Sequence, residues 1–216
     1  MKRPLIIIFL VLVIDQIIKI YVKTHFASQE EYRIAPWFII HFTENPGMAY
    51  GLEFSGQYGK ILLSMFRIAA VFFIGWYLKS LVQRKAHAGL IISIALIFAG
   101  AMGNIIDSAF YGLIFNESGY QPATLFPHGG GYAGFLHGKV VDMFYFPIIE
   151  GHFPAWFPFW GTEEFIFFRP VFNFSDSAIT VGVILILLFQ RKFYPRKNDA
   201  HKQVEGTSGE ATPQNM

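Results

Sequence analysis

The chain has 216 residues, of which 53% are hydrophobic and only 15% charged, and its mean hydropathy is +0.40. That balance excludes an ordinary soluble domain and points to a membrane protein. A net charge of +2 with no cysteine gives no footing for a nucleic-acid surface, a disulfide framework, a thiol nucleophile or a thiolate metal site.

A bilayer core of roughly 30 Å takes about 20 residues of helix, and four stretches qualify, at about 4–22, 61–82, 89–107 and 171–189. The first follows only Met1-Lys2-Arg3. Its apolar run is too long for a signal peptide and lacks a small-residue cleavage site, so a retained helix is expected. Outer loop 23–60 contains Thr43-Glu44-Asn45-Pro46-Gly47-Met48-Ala49-Tyr50-Gly51. Pro-Gly signals a surface turn there, although Asn45 could also present its amide to an extended peptide. In the third span, Gly100-Ala101-Met102-Gly103 suits close helix packing. Outer loop 108–170 carries His128, His137 and His152, without the spacing of a metal motif, and Gly129-Gly130-Gly131, without the context of a phosphate loop. The polar tail 195–216 reads as a disordered cytoplasmic end.

Basic residues set the orientation. Lys2, Arg3, Arg84, Lys85, Arg191, Lys192, Arg196, Lys197 and Lys202 gather on one side; Lys23, Arg33, Lys60, Lys139 and Arg169 are spread over much longer loops on the other. The expected fold is therefore an all-α integral membrane protein with four transmembrane helices and both termini cytoplasmic. Its extracytoplasmic loop subdomain has room for short β-strands and an interfacial helix.

With that topology, the polar residues inside or beside the spans fall at one level, near the outer surface. Carboxylates there are costly, because a charge near hydrocarbon loses its hydration and needs a partner or a raised pKa. Asp15 and Lys19, four apart on one helix face, can form a structural ion pair or take part in chemistry. Asn104 and Asp107, one turn apart, can hold a loop or a substrate backbone. Asn173 and Asp176, three apart, can cap the fourth helix or line a site. Asp142, after Val140-Val141, is by itself an ordinary loop aspartate. Brought together with Asp176, it could share a proton and activate a water.

In order, the chain carries Asp15-Gln16-Ile17-Ile18-Lys19, Asn45-Pro46-Gly47-Met48-Ala49-Tyr50, Gly103-Asn104-Ile105-Ile106-Asp107, Val140-Val141-Asp142-Met143-Phe144 and Phe172-Asn173-Phe174-Ser175-Asp176-Ser177. This series, over roughly residues 4–190, resembles the bacterial lipoprotein signal peptidases (signal peptidase II). The resemblance implies an aspartic endopeptidase that cuts diacylglyceryl-modified prolipoproteins just before the lipidated cysteine. It implies Asp142 and Asp176 as the catalytic pair, and Asn45, Gly47, Asn104, Asp107 and Asn173 as substrate-binding or supporting residues. Asp15 and Lys19 are supporting too. Expected partners are lipidated prolipoproteins and membrane lipids, with no cofactor, metal or nucleic acid; the protein is expected to act as a monomer in the bacterial inner membrane, its site near the outer face.

Two positions depart from the family pattern: Ser108 stands where Arg is usual, and Ser175 where Ala is usual. Asp107 and Asp142 are 35 positions apart, a longer separation than the pattern has. The stretch after Asp142 is aromatic-rich, with Phe153, Trp156, Phe157, Phe159, Trp160, Phe165, Phe167 and Phe168. Aromatics suit a membrane interface, so the inserts are expected to lie flat on the outer leaflet as a lid or platform. The competing reading is a small proton-coupled transporter or channel. It would carry polar groups along a whole path, and Val181–Phe189 offers none. A purely structural membrane protein, its polar residues only capping and pairing helices, is the third.

Overall fold

The computed structural model of the chain describes residues 2–46, 57–152, 164–167 and 170–194. Gly47 and the rest of its motif, Phe153 to Phe159, Trp160, Phe168 and the tail 195–216 lie outside the described residues. Helix α1 spans Lys2–His25, followed by strands β1 (Glu31–Ala35) and β2 (Phe38–Asn45). Helix α2 spans Gln57–Gln83 and α3 spans Ala88–Ile106, running on through a π-helical turn (Asp107–Tyr111) into α4 (Gly112–Ile114). Strands β3 (Val140–Tyr145), β4 (Ile149–His152), β5 (Glu164–Phe167) and β6 (Val171–Phe172) lead into α5 (Phe174–Phe193).

Four of these helices are long and apolar enough to cross a membrane. Their outward surfaces carry Phe9, Phe66, Phe72, Leu187 and Leu188, all well exposed, as suits lipid contact. The third span runs past the expected stop at 107 to Ile114, and the first runs on to His25. The fourth begins three residues later than expected, because Val171 and Phe172 pair with β3 in the sheet.

Between lipid-bathed helices there is no hydrophobic gain to drive association, so close approach of small residues must supply it. The α3–α5 seam shows this. A Cβ on Gly100 would lie 2.2 Å from the Ser175 carbonyl oxygen, and one on Gly182 would lie 2.6 Å from that of Ser93. Gly100 and Gly103 thus pack helices, as their spacing predicts.

Short β-strands, for which the loops were expected to leave room, form at the end of the bundle where α1 ends. A four-stranded antiparallel sheet in the order β1-β2-β3-β6 sits there beside a two-stranded β4-β5 ladder. Among the described residues no separate interfacial helix is found outside the spans. Thr43 to Asn45 belong to β2, not to a turn, and pair with β3 in the register Thr43 opposite Asp142 and Asn45 opposite Val140. Asp142 is accordingly a strand residue.

The segment 115–139 is fastened to α1 and the sheet. Lys23, in the last turn of α1, is fully buried. It pairs with Glu44 of β2 and donates to Ser118 Oγ at 2.8 Å, with the rings of Phe115 and Tyr132 each 5.2 Å away. Lys139 reaches Glu117 and, at 3.6 Å, Glu44. Backbone bonds from Ala123 N to the Lys23 carbonyl and from Ser28 N to the Gly119 carbonyl complete the attachment.

Candidate active site

Each element delivers its polar side chain for a local reason. Asn173 is the N-cap of α5: its Oδ1 accepts from the Asp176 backbone N–H at 2.9 Å, while the Asn173 N–H donates to Asp176 Oδ2 at 3.3 Å. This reciprocal capping box satisfies the exposed donors of the first turn and fixes both side chains at the mouth of the span. The capping and site readings of the pair are thus both met, because the cap is what orients the carboxylate.

The remaining donors of these amides reach outward. Asn173 Nδ2 donates to Asp142 Oδ1 at 2.7 Å and to Asn104 Oδ1 at 3.2 Å. Asn104 Nδ2 donates to Asp176 Oδ1 at 2.8 Å. Two amides, one from α3 and one from α5, therefore hold the carboxylates of Asp142 and Asp176 beside each other. Asp142 is only 6% exposed, whereas Asp176 is half-buried, so one member is sheltered and the other is reachable. Burial, and then the charge of Asp176, push the Asp142 carboxyl up to about 7; desolvation and a like charge both disfavour its ionised form.

Beneath this pair lies a second, fully buried cluster. The Lys19 ammonium has three donors and meets three oxygens, Asp15 Oδ2 at 2.9 Å, Asp107 Oδ2 at 2.8 Å and Asn104 Oδ1 at 2.9 Å. The expected Asp15–Lys19 pair is present, and Lys19 also pairs with Asp107. At the position after Asp107, Ser108 Oγ donates back to the Asn104 carbonyl at 3.0 Å, within its own helix. Asp15 Oδ1 accepts the Ser175 backbone N–H at 2.9 Å, tying α1 to α5. Asp107 Oδ2 lies 3.4 Å from the Val141 backbone N–H, a long bond from the residue just before Asp142.

Asp15, Lys19, Asn104, Asp107, Asp142, Asn173 and Asp176 thus form one continuous network. Asn45 stands one strand away, on β2, and Gly47 lies outside the described residues. Three participants, Gln16, Tyr111 and Arg67, have no strong signal in the sequence. Gln16 donates to Asp107 Oδ1 at 2.9 Å and to Asp15 Oδ2 at 3.1 Å, and accepts from the Tyr111 hydroxyl at 3.1 Å. Its clue is an amide beside an aspartate in an apolar run. Arg67 of α2 lies where its charge interacts with Asp176 and Asp142; a cation well inside a span was its clue.

Ser175 Oγ is buried with no hydrogen-bond partner among the described residues. An unmet buried hydroxyl is destabilising, by about 1–3 kcal/mol for a fully desolvated group. Ser175→Ala is therefore expected to retain cleavage and to gain up to about 1 kcal/mol of stability, measured by thermal unfolding in detergent; a loss of cleavage would show that the hydroxyl has a role.

The fold and this network define a polytopic membrane protein with a carboxylate- and amide-lined site at one end of its helix bundle. The family described as Signal peptidase (SPase) II matches residues 7–191. A lipoprotein signal peptidase of Porphyromonas gingivalis is 52% identical over 208 residues, covering 95% of this chain and 91% of the relative. One from Amoebophilus asiaticus is 34% identical, covering 93% and 83%. A solved structure described as a bacterial membrane enzyme at 1.9 Å resolution shares the fold, with a TM-score of 0.58 at 24% identity, covering 90% of this chain and 96% of that one. The chain belongs to the signal peptidase II family and is a membrane-embedded peptidase of the lipoprotein signal peptidase kind.

Proposed function

We propose that the protein is an aspartic endopeptidase that removes the signal peptide from diacylglyceryl-modified prolipoproteins, cutting just before the lipidated cysteine. The observation that carries this reading is the amide bridge, Asp142–Asn173–Asn104–Asp176, which holds a sheltered carboxyl with a raised pKa next to a reachable one. Two adjacent carboxylates share one proton more cheaply than they ionise together. In the resting enzyme Asp142 holds that proton, although the pair titrates as a unit. Asp176 takes a proton from water as the water oxygen attacks the scissile carbonyl; Asp142 gives its proton to the carbonyl oxygen. Collapse of the gem-diol intermediate breaks the C–N bond: the pair gives its proton to the leaving nitrogen while one hydroxyl of the intermediate returns its proton to the pair, which restores the starting state.

Asn45, on the strand paired to β3, and Gly47 support binding of the extended substrate backbone, and the Lys19 cluster keeps Asn104 aimed. The protein works as a monomer in the bacterial inner membrane, with both termini cytoplasmic and the site near the outer face. There the acyl chains of the substrate stay in the bilayer while its peptide bond reaches the carboxylates. The test is cleavage of one prolipoprotein with and without its diacylglyceryl group, followed by mass spectrometry. We expect a new N-terminal lipidated cysteine from the first and slower cleavage, by at least about 100-fold, from the second, because remote binding energy is needed for catalysis; equal rates would overturn the substrate assignment.

A further inference from the structure

At the end of the bundle away from the aspartates, α1 and α2 both pack on α3 but scarcely touch each other. The gap is an apolar groove of about 250 Å³, walled by Leu5 and Ile8 of α1 and by Leu78 of α2, with Phe98 of α3 as its floor. Gly75 lets that floor close up, since a Cβ there would lie 2.9 Å from the Phe98 ring. Pro4 and Val82 line both this groove and a second one of about 440 Å³, so the two adjoin.

The rim of these adjoining grooves is cationic. Lys79 lines the first, Lys2 and Arg3 line the second, and all three are exposed. No carboxylate answers them on the same helices: α1 has none before Asp15, α2 has none, and α3 has none. Arg84 and Lys85 in the turn after α2 add charge of the same sign. An apolar slot lipid can reach, capped at the headgroup level by cations with no ion pair among the described residues, has the chemistry of a phospholipid seat.

We propose that this groove binds one anionic glycerophospholipid of the leaflet on the side of Lys2 and Arg3, an acyl chain in the slot and the phosphate against Lys2, Arg3 and Lys79. A substrate signal peptide is the wrong occupant, because its n-region is itself basic and would meet cations of the same sign. This site lies apart from the carboxylates and does not depend on how they act.

The test is native mass spectrometry of the full-length protein in detergent, titrated with phosphatidylglycerol or phosphatidylcholine. One phosphatidylglycerol is expected to be retained at least tenfold more tightly than phosphatidylcholine. Each basic residue near a membrane surface gives about a fivefold gain in affinity for anionic lipid, so the triple variant Lys2→Gln, Arg3→Gln, Lys79→Gln should lose the preference. Ile8→Trp, which fills the slot, should weaken retention of both lipids while leaving cleavage unchanged. Equal retention of the two lipids by the wild type, or an intact preference in the triple variant, would overturn the proposal. So would capture of the signal peptide, in place of lipid, by a photo-crosslinking residue at Leu5.

Discussion

Asp142→Asn is expected to insert and fold, to be more stable than the wild type above neutral pH, and to lose cleavage by at least ~1000-fold. The stability half of this result follows from linkage. The folded state keeps Asp142 protonated up to about pH 7, where an unfolded aspartate, with its ordinary value of 3.8, has long released its proton. The native state therefore binds more protons than the unfolded chain between those values, and its stability falls as pH rises through that window. A raise of about three pH units at about 1.36 kcal/mol each makes the penalty on the order of 4 kcal/mol when Asp142 is ionised. An asparagine avoids it and can still accept the Asn173 amide. Thermal unfolding between pH 4 and 8 in detergent measures the difference: the gap between variant and wild type should open as pH rises. A gap that is constant with pH would mean that Asp142 is ordinary in its acidity.

The second large effect belongs to Lys19. Its ammonium meets three oxygens with three donors in a fully buried setting, so Lys19→Met strands Asp15 and Asp107 as unpaired charges. Removing one partner of a buried ion pair typically costs about 3–5 kcal/mol, and here two carboxylates lose the same partner. The variant should unfold far more readily in detergent. Pairing it with Asp107→Asn should recover part of the loss, because one stranded charge is then gone. If Lys19→Met alone unfolds like the wild type, the cluster contributes no stability. The consequence for the site is indirect: Lys19 also holds Asn104 Oδ1, and Asn104 holds Asp176.

What the sequence made legible was what local pattern can encode. Four apolar stretches of spanning length are visible from composition alone, and Asp15–Lys19 and Asn173–Asp176 reveal themselves by helical spacing. The ordered motifs brought Asp142 into the company of Asp176, which no local rule does. The sheet was not legible, because β2 and β3 are about a hundred positions apart and their register joins Thr43 to Asp142 across that gap. For the same reason Lys23 reads as a solvated flanking charge, although Glu44 and Ser118 bury it from 21 and 95 positions away. Ser108 in place of the usual arginine left the pairing of Asp107 open at the level of sequence. The structure answers it from another helix, through Lys19, a partner that spacing had already assigned to Asp15.

Under the proposed function, Asp142 and Asp176 act as one catalytic unit on a lipidated prolipoprotein. The most direct measurement is the cleavage rate of purified wild type, Asp142→Asn, Asp176→Asn and the double variant on a single diacylglyceryl-modified substrate. Groups that act as a unit are strongly non-additive. Each single variant should therefore accumulate uncut precursor, and the double variant should be no slower than either. Full activity in either single variant, or losses that multiply in the double, would contradict it.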